Sequence, residues 1–338
     1  MKRIPSLDGL RAISILLVVF GHLARRLHGP SLFWENYPNL GVRIFYVISG
    51  YLITQILLKE RQRSGTVSLR DFYTRRAFRI FPAALVFLVI VTAFNWSWLR
   101  WYHIAAAFLY VANFDFTRPW IFAHLWSLSV EEQFYFLWPG VLKRWYKHAL
   151  VILVAVIVVT PCYEAMLFYL KANAQNFYTF PAVADNLAVG CLLAVLAPRL
   201  PRIPGYAAVA MFLLVALTPF FFAHSVPRTL FLVLALRPAM QFSIAGILLH
   251  VVQTPPRFLN LALVSWLGRI SYSLYLWQQP FCNAPWVHSV YMVLPAIAVA
   301  CLSYYLVEQP MLRMREKRAG KAAPEASPGE LQASATAA

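Results

Sequence analysis

Charge is scarce in this chain. Asp, Glu, Lys and Arg make up 13% of its 338 residues, where a soluble domain carries about 25%. Acidic side chains are scarcest: 13 Asp and Glu stand against 30 Lys and Arg, a net charge of +17. Four cysteines, Cys162, Cys191, Cys282 and Cys301, are scattered through apolar segments without C-x-x-C spacing. That excludes a dithiol redox centre, a zinc knuckle and a disulfide framework, and leaves packed free thiols. No metal site is expected. No internal repeat is present, so the inverted-repeat signature of many transporters is missing. Nor is there a soluble module with a basic face, which nucleic-acid binding would require.

What is abundant is apolar surface: 60% of residues are hydrophobic and the mean hydropathy is +0.60. A helix needs roughly 20 apolar residues to cross ~30 Å of hydrocarbon. The fold class expected is all-α: a polytopic membrane bundle of about ten transmembrane helices. The spans read as Leu10–Leu27, Gly41–Leu58, Ile80–Trp98, Leu128–Leu142, Ala149–Leu170, Ala182–Leu196, Tyr206–Phe222, Leu230–His250, Leu261–Phe281 and Tyr291–Val307. Lys2 and Arg3 before the first run suggest a signal peptide. Asp8 and Arg11 interrupt that run, however, and no small-residue cleavage site precedes Arg25. It therefore reads as an uncleaved span.

With the N-terminus inside, 20 of the 30 Lys and Arg fall in cytoplasmic segments, 6 outside and 4 within spans, as the positive-inside rule requires. Both termini are then cytoplasmic. His103–Phe116 is apolar but short, about 21 Å as a helix, and reads as a re-entrant or interfacial segment. Residues 1–318 form one membrane domain. Residues 319–338, rich in Ala, Pro, Ser and Glu, read as a disordered cytoplasmic tail.

A few polar residues stand out against this background. Arg11 and His22 are eleven positions apart, ~1100° of helical rotation, so they share one face ~16 Å apart along the axis. An ionisable residue inside a span is costly and marks function unless it snorkels to an interface. Histidine titrates near working pH and suits a general base, whereas Arg11 suits a carboxylate or phosphate. Arg76 and Arg79 are neighbours on one helical face, at the end of a basic loop, Lys59–Arg79, with seven Lys and Arg. They fit a phosphate clamp as well as they fit interfacial anchoring. Glu131 and Glu132, in HLWSLSVEEQFY, sit at the mouth of an apolar run, where carboxylates need partners. They are placed to orient His22, to bind an arginine or to hold acceptor hydroxyls. Asp185 and Arg237 are weaker candidates, and Ser49-Gly50 reads as small-residue helix packing.

Six blocks in order resemble the acyltransferase type 3 membrane proteins: SLDGLRAISILLVVFGHL, GVRIFYVISGYLIT, RRAFRIFP, HLWSLSVEEQFYFLWP, LGRISYSLYLW and LVEQPMLR. The resemblance runs from Ile4 to about Arg313. It implies a bacterial inner-membrane enzyme that moves an acyl group, read as acetyl, from cytoplasmic acyl-coenzyme A to a hydroxyl of an extracytoplasmic glycan. Lipopolysaccharide, exopolysaccharide and lipid-linked saccharides are the acceptors it suggests, with membrane lipid as surroundings and no permanently bound cofactor. By this resemblance His22, Glu131 and Glu132 are catalytic and Arg11, Arg76 and Arg79 hold the donor. Asp8, Ser127, Ser129, Tyr272 and Trp277 are substrate-binding. Two departures bear on the later spans: Val183 stands where relatives often carry arginine, and Gln278 where many carry histidine. A secondary transporter or flippase for a charged solute is the alternative reading of the same buried charges.

The topology is directly testable. Cysteines introduced in Lys59–Arg70 and in Arg313–Lys321 should both be shielded from impermeant thiol reagents applied outside intact cells. Labelling of either region from outside overturns the orientation.

Overall fold

The structure, a computed structural model, describes residues 4–29, 32–224 and 232–322, and among these there is no β-strand. Twelve α-helices follow in order: α1 Pro5–His28, α2 Leu32–Ser64, α3 Leu69–Asn95, α4 Trp101–Phe108, α5 Leu125–Arg144 and α6 Ala149–Tyr169. Then come α7 Phe180–Leu196, α8 Gly205–His224, α9 Arg237–Gln253, α10 Ala262–Cys282, α11 Val293–Ser303 and α12 Gln309–Ala322. π-helical turns precede α9, over Leu232–Leu236, and join α11 to α12, over Tyr304–Glu308. Much of the expected tail beyond Ala322, and the first two residues of the expected eighth span, lie outside the described residues.

The helix starts follow local rules. Pro5 occupies the first turn of α1, where the N–H that proline lacks would be unsatisfied anyway. Ser68 caps α3 by accepting from Asp71 N at 3.3 Å, and Asp71 complements the positive helix end. Pro38, Pro82, Pro139, Pro161 and Pro280 all lie inside helices. Membrane helices tolerate this because neighbouring elements satisfy the freed carbonyls.

Seven helical segments are long and apolar enough to cross a membrane: Pro5–His28, Asn36–Ser64, Leu69–Asn95, Tyr146–Tyr169, Ala174–Arg199, Val233–Gln253 and Val290–Lys317. The other three expected spans are helical but fall short of that measure. The apolar stretch of α8, Gly205–Phe220, is shorter. α5 and α10 carry Glu131, Glu132 and Gln133, and Arg269, Gln278 and Gln279, among their apolar residues. Length and composition therefore support seven of the ten expected crossings. The short apolar segment contains α4 and a 3₁₀ turn over Ala112–Phe114. Large apolar side chains such as Phe94, Val159 and Leu213 point outward, the surface a bilayer-embedded bundle presents.

α1 packs between α2 and α10, and α2 packs in turn on α7. Glycines make both contacts close. A Cβ on Gly50 would overlap the Leu187 carbonyl, and one on Gly190 the Val47 carbonyl; Gly268 meets Asp8 in the same way. With lipid tails as apolar as the side chains they replace, such backbone approach is how membrane helices gain contact. The four cysteines are all unpaired, and Cys191 and Cys282 are buried.

Gly190→Ala should therefore push α7 off α2, costing roughly 1–3 kcal/mol by overpacking. Thermal unfolding of the purified protein in detergent measures it, and an unchanged melting temperature would contradict the close α2–α7 crossing.

Candidate functional site

The polar residues singled out above do not form one cluster. Many of them line three cavities set along α1, which share walls, whereas Glu132, Asp185 and Arg237 line none of the three. The first, of about 270 Å³, is lined by Asp8, Arg11, Ser49, Arg75, Arg76, Arg79, Tyr135 and Arg315, with apolar residues between them. The second, about 80 Å³, shares Arg11, Ser49, Arg76 and Arg79 with the first and adds Tyr46, Ser127, Glu131, Tyr272 and Tyr275. The third, about 210 Å³, shares Val42 and Tyr275 with the second and contains His22, Arg25, Arg118, His124, Gln175 and Asn283. Arg11 and His22 thus open into opposite ends of one chain of cavities, as their common helical face requires.

Arg76 organises the arginine end. Its Nη2 lies 3.9 Å from Glu131 Oε1 and its Nε 3.7 Å from Glu132 Oε1, and its guanidinium carbon sits 3.4 Å above the Tyr135 ring centroid. That combines ion pairing with a cation–π contact. Ser49 and the Tyr135 hydroxyl both donate to Glu131 Oε1. Ser49 is therefore more than a packing residue. Arg76 Nε and Glu132 Oε1 make no hydrogen bond of normal geometry, so the pairing leaves donors that a phosphate can take. Arg11 lies 3.9 Å from Asp8. Arg79 makes no ion pair among the described residues. Of the three expected uses of the glutamates, the structure brings them to an arginine and not to His22.

His22 is oriented instead by a residue that the family comparison had put in doubt. Its Nδ1 lies 2.8 Å from Gln278 Oε1. The direction of that bond follows from a relay of amides. The Trp120 carbonyl can only accept, so Gln279 must turn its Nε2 to it. Gln279 Oε1 then accepts from Gln278 Nε2, 3.4 Å away. Gln278 Oε1 is left facing His22 and takes its Nδ1–H, so Nε2 carries the lone pair. Glutamine in place of histidine keeps a hydrogen-bonding side chain at that position. Val183 is compensated in a similar way: the arginine reaching Asp185 comes from α9. Arg237 Nη2 lies 3.0 Å from Asp185 Oδ1 and also bonds the Ala182 carbonyl at 2.7 Å, while Nη1 pairs with Glu164. Arg237 is buried in this ion-pair cluster and lines none of the three cavities.

The remaining candidates divide. Ser127 and Tyr272 line the middle cavity. The Ser127 hydroxyl donates to the His124 carbonyl at 3.2 Å and meets the Tyr275 hydroxyl, and Tyr272 donates to the Ile80 carbonyl at 2.8 Å. Ser129 and Trp277 lie outside the three cavities. The Ser129 hydroxyl donates to the Leu125 carbonyl at 2.9 Å and accepts from Ala112 N at 3.2 Å, pinning the short segment to α5. Trp277 meets the Phe87 ring edge-on, with centroids 5.2 Å apart. Arg118 was missed, because a lone arginine in a loop carries no periodic signal. It lies outside the spans, where burial lowers its pKa, although a guanidinium stays charged at neutral pH. Among the described residues no group of three His, Cys, Asp or Glu is placed to hold a metal ion.

The two arginines should differ in what they support. Arg76→Ala strands two partly buried carboxylates, which costs about 3 kcal/mol or more. Arg79→Ala breaks no ion pair among the described residues. Melting temperatures in detergent should fall clearly more for the first variant; equal shifts would mean that Glu131 and Glu132 do not depend on Arg76.

Comparison with known proteins places the chain in a family. The family model described as an acyltransferase domain matches residues 4–306. The peptidoglycan O-acetyltransferase OatA of Listeria monocytogenes is 28% identical over 92% of this chain and 56% of its own length. The YrhL protein of Bacillus subtilis is 30% identical over 92% of this chain and 55% of its own. The chain thus spans about half the length of these curated relatives. No solved structure matches it. With the family model covering residues 4–306, the chain belongs to the acyltransferase type 3 family.

Proposed function

We propose that this protein is an integral-membrane O-acetyltransferase that moves an acetyl group from cytoplasmic acetyl-coenzyme A to a hydroxyl of an extracytoplasmic glycan. The observation that carries this reading is the series of three cavities sharing walls, with a phosphate-suited arginine cluster at one end and an oriented histidine at the other. A membrane-crossing acyl transfer needs those two chemistries on opposite sides and a passage between them. The relative from Listeria monocytogenes is a peptidoglycan O-acetyltransferase, which supports a glycan acceptor; lipopolysaccharide and exopolysaccharide are acceptors of the same chemistry.

In this reading Arg76 and Arg79 hold the donor's phosphates, with Arg11 deeper along the same wall, and the thioester enters the middle cavity. Glu131 and Glu132 position Arg76. His22 Nε2, freed by the Gln278 bond, takes the proton of the acceptor hydroxyl. The oxygen attacks the thioester carbonyl, the carbon–sulfur bond breaks, and the departing thiolate takes up the proton from His22. The products are the O-acetyl ester and free coenzyme A. We also read α5, α8 and α10 as crossing the membrane, giving ten spans and both termini in the cytoplasm. In α5 and α10 most of the polar side chains that depress hydropathy, Glu131, Glu132, Gln133, Gln278 and Gln279, turn inward, where a bundle can hold them, while Arg269 is exposed.

His22→Ala should leave the protein folded while transfer falls by ~10²–10⁴-fold, the loss expected for a positioned base. Binding of acetyl-coenzyme A should survive, because Arg11, at the arginine end, lies some 16 Å away along α1 and His22 lines neither cavity that Arg76 and Arg79 line. Arg79→Ala should do the reverse, weakening donor binding by about 10–150-fold, or roughly 1.5–3 kcal/mol for one charge-assisted contact. Donor titration and acetyl transfer measured on the same preparations separate the two. Near-normal transfer by His22→Ala would refute the base assignment.

A further inference from the structure

The cavity around His22 has a lining with a specific chemical bias. Two guanidiniums, Arg25 and Arg118, and two imidazoles, His22 and His124, face it, and among the described residues no carboxylate lines it. Asn39, Gln175, Gln279 and Asn283 supply amides, and Trp126 and Tyr178, with ring centroids 4.7 Å apart, form an aromatic wall. Amides beside aromatic faces suit a sugar, whose hydroxyls need hydrogen bonds and whose C–H face needs apolar contact.

Two side chains go further. Arg118 is held rigidly: Nη1 donates to the Ala112 carbonyl and, at 3.2 Å, to the Asp115 carbonyl, and Nη2 donates to Gln175 Oε1 at 2.8 Å. A guanidinium has five N–H donors in a planar fork, so donors of this fixed cation remain for a ligand. His124 is 3% exposed, and neither of its ring nitrogens makes a hydrogen bond of normal geometry. The ring is gripped edge-on by Phe87 at 5.5 Å and lies 5.5 Å from the Tyr275 ring. Leaving a buried polar group unsatisfied costs about 1–3 kcal/mol, and each such group in a native structure calls for a water, an ion or a ligand to supply what is missing.

We propose that this cavity is an acceptor subsite selective for saccharides bearing a carboxylate or phosphate, with the anionic group on Arg118 and a sugar hydroxyl against His124. The proposal rests on the acetyl-transfer reading only in calling the bound saccharide an acceptor. A fixed guanidinium pairs with either anion in bidentate fashion, and no carboxylate among the described lining residues stands in the cavity to repel it.

The test is calorimetric titration of the purified full chain with matched probes. A hyaluronan tetrasaccharide, whose glucuronates carry carboxylates, is compared with its carboxyl-reduced neutral counterpart. N-acetylglucosamine 6-phosphate is compared with N-acetylglucosamine. The acidic member of at least one pair should bind tenfold or more tightly, and the preference should shrink as salt rises. Which pair shows it tells carboxylate from phosphate. Arg118→Gln should abolish the preference, and His124→Asn should weaken acidic and neutral probes alike by about tenfold. Because Arg118→Gln also removes bonds that hold its loop, the wild-type comparison decides by itself. Equal binding within both pairs, or no binding, overturns the proposal. Acetyl-coenzyme A titrated into the same preparation reports separately on the donor half. Anion preference without donor binding would defeat the acetyl-transfer reading and leave the saccharide site standing.

Discussion

An arginine surrounded by hydrocarbon must be answered by charge or by hydrogen bonds, and much of this bundle is arranged around meeting that requirement. Arg76 has two glutamates from α5 and the face of Tyr135. Arg237 has Asp185 from α7 and Glu164 from α6. Each cluster ties together helices that side-chain packing alone would leave free to slide, since lipid competes equally well for apolar contact. The two clusters differ in access. The Arg237 cluster is closed, with every charge buried, and serves as a clamp. The Arg76 cluster opens onto two cavities, and its ion pairs, at 3.7 and 3.9 Å, stay looser than hydrogen bonds. A clamp with closed pairs stabilises; one with open donors can also bind.

The same distinction separates the two ends of α1. Near its N-terminus the helix presents Asp8 and Arg11 to the arginine cluster, and near its C-terminus it presents His22 and Arg25 to the histidine cavity. One rigid helix, held tightly by α2 and α10, therefore fixes the distance between an arginine-lined end and a histidine-lined end. The glycines that let α1, α2, α7 and α10 approach through their backbones are part of the site's geometry, although none of them touches it.

Much of this was legible in the chain itself. Scarce charge and abundant apolar runs determined an all-helical membrane fold, because in hydrocarbon only a helix or a closed barrel satisfies its backbone. The spacing of eleven positions from Arg11 to His22 determined a shared face, because helical periodicity is local. Six ordered blocks determined the family. The number of crossings was less legible: α5 and α10 carry the polar residues of the site, and hydropathy cannot tell a polar residue facing a cavity from one that prevents insertion.

Partnerships between distant residues were not legible, because they depend on which helices touch. Glu131 and Glu132 could be assigned to His22 or to an arginine with equal reason until the fold brought α3 alongside α5. Gln278 counted as a departure from the family until it was found against His22, 256 positions away in the chain. Ser129 and Trp277 share motifs with Ser127 and Tyr272, yet neighbouring positions on a helix point in different directions, and only the packing decided which pair faces a cavity. Composition and periodicity, which act along the chain, determined the fold class and the face of α1; the pairing of charges and the path between the two ends, which act across it, were decided by the tertiary structure alone.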